Sequence, residues 1–311
     1  MKTERKTENC GAFLNGILRA VEAEIESHKQ KRSVSDLEKR IADVPAVISF
    51  GDAIKGDFGL VAEIKERSPS GGAMLRKNVD RAVKAYEENP LVKAVSILTN
   101  LSHFGMKIER LWRARKQIDK PLLRKDFIID EYQVLEARAF GADAILLMAN
   151  ILPKPRIREL ALLAHDLGME VLFESHNEKE IAKIPADLAK IWGVNSRKLD
   201  SSNPTFSYGI SKALKKLGLF KDFSIDGEQF ALSSNLPSNA IKVAESGMSP
   251  RNIRLVRDKH KYNAALVGNS LLLHPNGIDD MLRKFSEALV FQDERSHSEL
   301  RCYPNQAGVL V

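Results

Sequence analysis

Eight short apolar runs, separated by amphipathic stretches over most of 311 residues, predict an α/β chain folded as a (β/α)8 TIM barrel with an N-terminal helical extension. Short buried strands alternating with helices require parallel pairing, because parallel neighbours need a crossover between them. Eight such units suit a closed barrel better than an open doubly wound sheet. No GxGxxG follows the first run, which removes the usual support for a dinucleotide-binding sheet; Gly71-Gly72 after Ser68-Pro69-Ser70 is too weak a match to restore it.

The elements follow in order. Residues 10–43 read as helical, since Phe13, Ile17, Leu18, Val21 and Ile25 recur close to the helical period. Strands are expected at 60–64, 94–98, 121–123, 144–148, 170–173, 191–194, 241–244 and 264–267. Helices are expected at 79–88, 108–118, 131–140, 157–167, 178–184, 250–259 and 278–289, the third starting at Asp130-Glu131. The chain thus divides into a helical extension packed on the barrel (1–45), a catalytic barrel (46–291) and a polar tail (292–311). The connection from 198 to 244 is too long for a minimal barrel and is expected to contain its own helix and a mobile excursion.

Composition narrows the function classes. Hydrophobic residues at 43% and charged residues at 29% suit a folded, water-soluble enzyme and argue against disorder. No apolar run approaches the roughly 18 residues a membrane span needs. The opening MKTERKTENCGAF has no apolar core with a cleavage site, so no secretory signal is evident. Two cysteines, Cys10 and Cys302, cannot make a disulfide framework, and a cytoplasmic protein with reduced thiols is expected. The net charge is +7, but basic and acidic residues are interleaved and aromatics are only 6%. That pattern fits a solvated surface or a pocket for a small anionic substrate, not a nucleic-acid face.

Chemistry in such barrels collects where strands run out into the following loops. Glu63 and Lys65, two apart at the first strand end, share a face: either paired in the barrel mouth or an ordinary ion pair at a strand edge. Lys125 ends the third strand on the side of Leu123, where a lysine is costly without a partner; a snorkelling rim lysine is the alternative. Asp126 faces the other way, into the layer between barrel and helices. Glu174 ends the fifth strand. Asn195 and Arg197 share a face after the sixth, unless they are turn chemistry and a solvated arginine. Ser246-Gly247 and Gly268-Asn269 follow the seventh and eighth strands, where barrels commonly hold phosphate on backbone N–H groups; singly, each pair is only a turn signal. The seven histidines are scattered, with no zinc spacing, and no GxSxG elbow or strand-end cysteine offers a nucleophile. The inventory suits acid–base chemistry on a phosphorylated, anionic substrate.

These blocks carry a resemblance. AEIKERSPSGG, PLLRKDFIIDEYQVLEARAFGADAILLM, VLFESHNEKE, GVNSRKL, VAESGMS and LVGNSLL resemble, in order, the indole-3-glycerol phosphate synthase family, from about residue 13 to 289. The resemblance implies a (β/α)8 lyase of tryptophan biosynthesis that needs no metal or organic cofactor. It implies ring closure, decarboxylation and dehydration of 1-(2-carboxyphenylamino)-1-deoxyribulose 5-phosphate, giving indole-3-glycerol phosphate, carbon dioxide and water. Lys125 then resembles the general acid of ring closure, and Glu174 a base or electrostatic partner in closure or dehydration. Glu63 and Lys65 resemble the pair linked to dehydration, Lys65 also reaching the phosphate. By the same resemblance Asn195 and Arg197 orient the substrate, Arg197 and Ser68 lie near its carboxylate, and Glu245 is a further substrate-binding position. Ser246, Gly247, Gly268 and Asn269 match the phosphate loops, and Phe104 the apolar wall. Crowding by Lys65 and partial burial are expected to lower the Lys125 pKa.

The sequence also departs from the family pattern. Gly105-Met106 follows Phe104 where a polar residue precedes glycine, Asn269 stands where serine is common, and Glu66 occupies a position often basic. The neighbouring isomerisation of phosphoribosylanthranilate uses a cysteine–aspartate pair, and no cysteine lies at a strand end here. A barrel that binds an anion through its basic rim without catalysis is a further alternative. The expected partner is a small phosphorylated carboxylate, with neither nucleic acid nor membrane; a monomer is the default and a tail-docked dimer the alternative.

Overall fold

The computed structural model describes residues 7, 8, 10–68, 71–197 and 229–290. Cys302, the 292–311 tail and the 198–228 part of the long connection lie outside the described residues. Eight strands pair in parallel and close into a barrel: β1 (Gly59–Ile64), β2 (Val92–Leu98), β3 (Leu122–Lys125), β4 (Ala144–Met148), β5 (Glu170–Ser175), β6 (Ile191–Asn195), β7 (Ile241–Glu245) and β8 (Ala264–Val267). Every residue of β1, β4, β6 and β8 is buried. Strands covered on both faces read as continuous apolar runs, which is why they are legible as runs and not as alternations.

The helical extension is two helices, α1 (Ala12–Lys31) and α2 (Val34–Ala42), where one continuous stretch is expected. The break is chemical. Ser33 Oγ accepts from Asp36 N, and the Asp36 carboxylate accepts from Ser33 N, a reciprocal cap that starts a new helix. Next, α3 (Phe50–Lys55) closes the N-terminal end of the barrel: Phe50 and Ile54 are buried, and Gly51 N donates to Glu170 Oε2 at the foot of β5 (2.7 Å). A Cβ on Gly51 would sit 3.0–3.4 Å from Glu170, Ile241 and Ile191, so the helix lies directly under β5, β6 and β7. The C-terminal end is left for chemistry.

The outer helices are α4 (Arg76–Glu88), α5 (Leu101–Phe104), α6 (Glu109–Arg115), α7 (Glu131–Ala139), α8 (Lys154–Asp166), α9 (Glu178–Ile181), α10 (Asn269–Leu272) and α11 (Ile278–Val290). On α11 the buried residues Ile278, Leu282 and Phe285 form one stripe against the barrel. The helix expected over 178–184 is a single turn, with Pro185 just beyond. Within the helix expected over 250–259, Leu255–Lys259 forms a wide π turn, and Lys261 at φ 54° leads out of it. Among the described residues, no helix is long and apolar enough to cross a membrane.

Arg124, on the outward face of β3, is 2% exposed. Its guanidinium donates to Thr99 Oγ1 (3.0 Å), the Gln133 carbonyl (2.7 Å) and Asp126 Oδ2 (3.1 Å), and lies 3.1 Å from Glu136 Oε2. Glu136, wholly buried on α7, also meets His28 Nδ1 (2.9 Å) and Arg32 Nη1 (3.2 Å), so this network ties the extension to the barrel.

Candidate active site

Each odd-numbered strand sends one ionisable side chain into the C-terminal mouth: Glu63 from β1, Lys125 from β3, Glu174 from β5 and Glu245 from β7. Alternate strands supply each layer of a barrel interior, and here the uppermost layer is charged instead of aliphatic. Lys125 Nζ lies 3.7 Å from Glu174 Oε2 and 3.6 Å from Glu245 Oε2. Lys65, one residue beyond β1, donates to Glu63 Oε1 at 2.5 Å. Carboxylates this large need room from the even strands. A Cβ on Gly193 of β6 would collide with Glu245 Oε1, and one on Gly268 after β8 would collide with Glu63 Oε1 and approach Lys65 Nζ to 3.2 Å.

The fields within this layer sort the protons. Burial raises the Glu63 pKa, but Lys65, Lys125 and Arg197 outweigh it and hold the carboxyl below its ordinary range. Burial likewise raises Glu174, and Lys125 and His176 bring it below its ordinary value. Glu245 goes the other way: burial and the negative charge of Glu174 push it well above the carboxylate range, so it carries the proton that Glu174 lacks. Lys65 is lowered, chiefly by burial, with Arg197 and Lys125 adding to it. Lys125 corrects the sequence expectation. Burial pulls it down, but Glu174, Glu245 and Glu63 together raise it above the ordinary lysine value. Burial, with cationic neighbours adding to it, prevails at Lys65; at Lys125 the carboxylates outweigh both burial and Arg197.

The other expected site residues surround this layer. Asn195 ends β6, and its Oδ1 accepts from Arg197 N (3.0 Å); the Arg197 guanidinium is within electrostatic reach of Glu63 and Glu174. Ser68 is buried and accepts from Gly71 N (2.9 Å). Phe104 stacks on Phe127, ring centroids 6.3 Å apart, and its carbonyl accepts from Glu66 N (3.3 Å), joining the loops after β1 and β2. Ser246 (φ 71°) and Gly247 (φ 66°) are consecutive left-handed residues, costly for the serine and held by the Ser196 hydroxyl on the Ser246 carbonyl. Gly268 caps α10, with Asn269 beside Gly71.

Two of the departures are answered by position. Glu66 is exposed while Lys65 beside it is buried, and Met106 is 1% exposed and packed in the apolar core. Gly105 at φ 76° ends α5, where its N–H donates to Leu101 O.

Sequence reasoning missed two neighbours. His176 follows Glu174 by two residues, the same spacing that singles out Glu63 and Lys65, and its Nε2 lies 3.6 Å from Glu174 Oε1. Glu24 of α1 accepts from Ser102 N (3.0 Å), the Ser102 hydroxyl and Asn100 Nδ2 (3.2 Å), clamping the loop that carries Phe104. No local signal relates Glu24 to a loop 78 residues away.

Comparison with known proteins places the chain in a family. The family profile described as indole-3-glycerol phosphate synthase matches residues 14–207. The indole-3-glycerol phosphate synthase of Bacteroides thetaiotaomicron is 33% identical over 279 residues, 89% of this chain and 98% of that protein. Those of Neisseria meningitidis serogroup B (39% over 212 residues, 66% and 79% of the two chains) and Bordetella pertussis (35% over 267 residues, 84% and 94%) are similar in the same way. By profile, by identity over nearly the whole length and by its closed parallel barrel, the chain belongs to the indole-3-glycerol phosphate synthase family.

Proposed function

We propose that this chain catalyses the reaction its family is named for, with Lys125 and Lys65 as two general acids of opposite tuning. The observation that carries the assignment is the placing of two lysines among separate carboxylates in one mouth, Lys125 Nζ 3.7 Å from Glu174 and 3.6 Å from Glu245 and Lys65 Nζ 2.5 Å from Glu63, with Lys125 raised by its carboxylates and Lys65 lowered by burial. Environments that push like groups apart mark separate acid–base tasks.

In the first step the ring carbon bearing the substrate carboxylate attacks the ketone, and Lys125 delivers its proton to the carbonyl oxygen as the carbon–carbon bond forms. Its raised pKa keeps the ammonium loaded, and the developing alkoxide is a far stronger base than an amine. The bond to the carboxylate then breaks, its electrons return to the ring and carbon dioxide leaves. In the last step Lys65 gives a proton to the departing hydroxyl, releasing water, while Glu174 takes a proton from the adjacent methylene carbon to complete the indole. Glu63, 2.5 Å from Lys65 Nζ, keeps that lysine aimed. Each well-placed acid or base is worth on the order of 10²–10⁴ in rate.

Arg197 and Ser68 receive the substrate carboxylate, Asn195 orients the ring nitrogen, and the protonated Glu245 donates to a sugar hydroxyl. Backbone N–H groups of Ser246, Gly247, Gly268 and Asn269 hold the phosphate, with Lys65 adjacent, and Phe104 forms the apolar wall. The test is incubation of the purified protein with the carboxyphenylamino-deoxyribulose phosphate and EDTA. Growth of indole fluorescence with stoichiometric carbon dioxide release is expected; substrate that binds and stays unchanged would reduce the barrel to an anion-binding module.

A further inference from the structure

His176 occupies a place that local structure explains only by half. Asn177 caps α9 by accepting from Glu180 N (3.0 Å), and the Glu180 carboxylate accepts in return from His176 N (2.7 Å) and Asn177 Nδ2 (2.7 Å). The same carboxylate lies 3.0 Å from His176 Nδ1. Capping accounts for that side of the ring. It does not account for the other side, where Nε2 is buried, has no hydrogen-bond partner and points at Glu174 Oε1, 3.6 Å away. The two oxygens of Glu174 are thus divided between two cations: Oε1 faces His176 and Oε2 faces Lys125.

We propose that His176, aimed by Glu180, is a positioning residue for Glu174: its ring fixes the carboxylate from the strand side and supplies the positive charge that keeps it ionised beside Glu245. The inference rests on the assignment of Glu174 as the proton acceptor. Among the described residues, three charged groups face His176: Glu174 on its own strand, Glu180 on α9 and Lys125 on β3. Burial and Lys125 disfavour the imidazolium, the two carboxylates favour it, and the carboxylates prevail, so its pKa is raised. Glu180 is itself held ionised against burial, by His176 and Asn177. Without the imidazolium, Glu174 would keep one cation, Lys125, which it shares with Glu245, and the weaker support of the Glu245 and Asn195 side chains. A base that must be ionised to act would then become protonated at higher pH.

The experiment compares kcat/KM against pH for the full-length protein and for His176→Gln, Glu180→Gln and Glu174→Gln. His176→Gln is expected to move the acid limb up by about one pH unit, which lowers kcat about tenfold on that limb and little near neutrality, with KM changed less than about twofold. Glu180→Gln, nearer the rim and safer for folding, should move the same limb in the same direction by less. A His176→Gln profile that overlays the parent, or a fall equal at every pH that Glu180→Gln does not share, overturns the proposal. Glu174→Gln separates the two levels. Loss of at least about 100-fold there with an unmoved limb in His176→Gln removes His176 alone. Activity retained in Glu174→Gln removes the assignment of Glu174 and the proposal with it.

Discussion

Replacing Glu245 by glutamine tests the division of protons in the mouth. The Glu245 carboxyl is 1% exposed and its pKa lies well above its ordinary value of 4.5, so the folded protein holds a proton there that the unfolded chain releases. A raised carboxyl pKa means more protons bound in the native state, so stability falls as pH rises above 4.5. The slope for one group is about 1.4 kcal/mol per pH unit. Glu63 and Glu174 are shifted downward, so their contributions are complete above 4.5 and add no slope there. His176 is shifted upward from 6.5 and adds a slope of the same sign only above that pH. The window from 4.5 to 6.5 therefore separates Glu245 from its neighbours in the mouth. A glutamine amide at this position mimics the protonated carboxyl and has no proton to release. Glu245→Gln should therefore gain on the parent as pH rises from 4.5, by at most about 1.4 kcal/mol for each pH unit. Paired denaturant titrations at three pH values measure the difference, with kcat at neutrality expected within about tenfold of the parent because the charge is unchanged. A stability difference independent of pH would refute the reasoning, since Glu245 would then be ionised beside Glu174.

Three further outcomes are expected. Gly268→Ala puts a Cβ against the Glu63 carboxylate, forcing it off Lys65, and should cut kcat about 100-fold while the circular dichroism spectrum is retained; full activity would show that the glycine is not needed for the pair. Arg124→Met leaves Asp126 and Glu136 buried without their shared guanidinium and should cost about 3–5 kcal/mol in denaturant unfolding; a loss under about 1 kcal/mol would contradict the network's role. Glu24→Ala frees the loop carrying Phe104 and should raise KM several-fold, up to about tenfold for a lost charged hydrogen bond, with kcat little changed; an unaltered KM would separate α1 from substrate binding.

The barrel is legible because its strands are covered on both faces and so stand out as uninterrupted apolar runs, and because Asp130 announces its helix through a capping side chain; the cap at Ser33, inside a stretch that reads as one helix, is not picked out by periodicity. The gathering of Glu63, Lys125, Glu174 and Glu245 is legible for a different reason: each ends an odd strand, and strand ends share one rim. What sequence position does not carry is the sum of fields at a point. The basic neighbour Lys65 is conspicuous in the chain and suggests a lowered Lys125, yet three carboxylates from three other strands decide its state. Arg124 reads as part of a basic pair with Lys125; its burial depends on Asp126, Gln133 and Glu136 converging from β3 and α7. His176 is one of seven scattered histidines in the sequence, and its two-residue offset from Glu174 becomes a strand-face signal only once β5 is known to run through Ser175.

A single-turnover experiment shows whether Lys125 supplies the proton of ring closure. Parent and Lys125→Ala are mixed in excess with the carboxyphenylamino-deoxyribulose phosphate, and carbon dioxide release and indole fluorescence are followed together with substrate binding. Loss of both signals by about 10³-fold or more, with substrate still bound, is the predicted result. Carbon dioxide released at the parental rate by Lys125→Ala would contradict it, because ring closure would then draw its proton from another group.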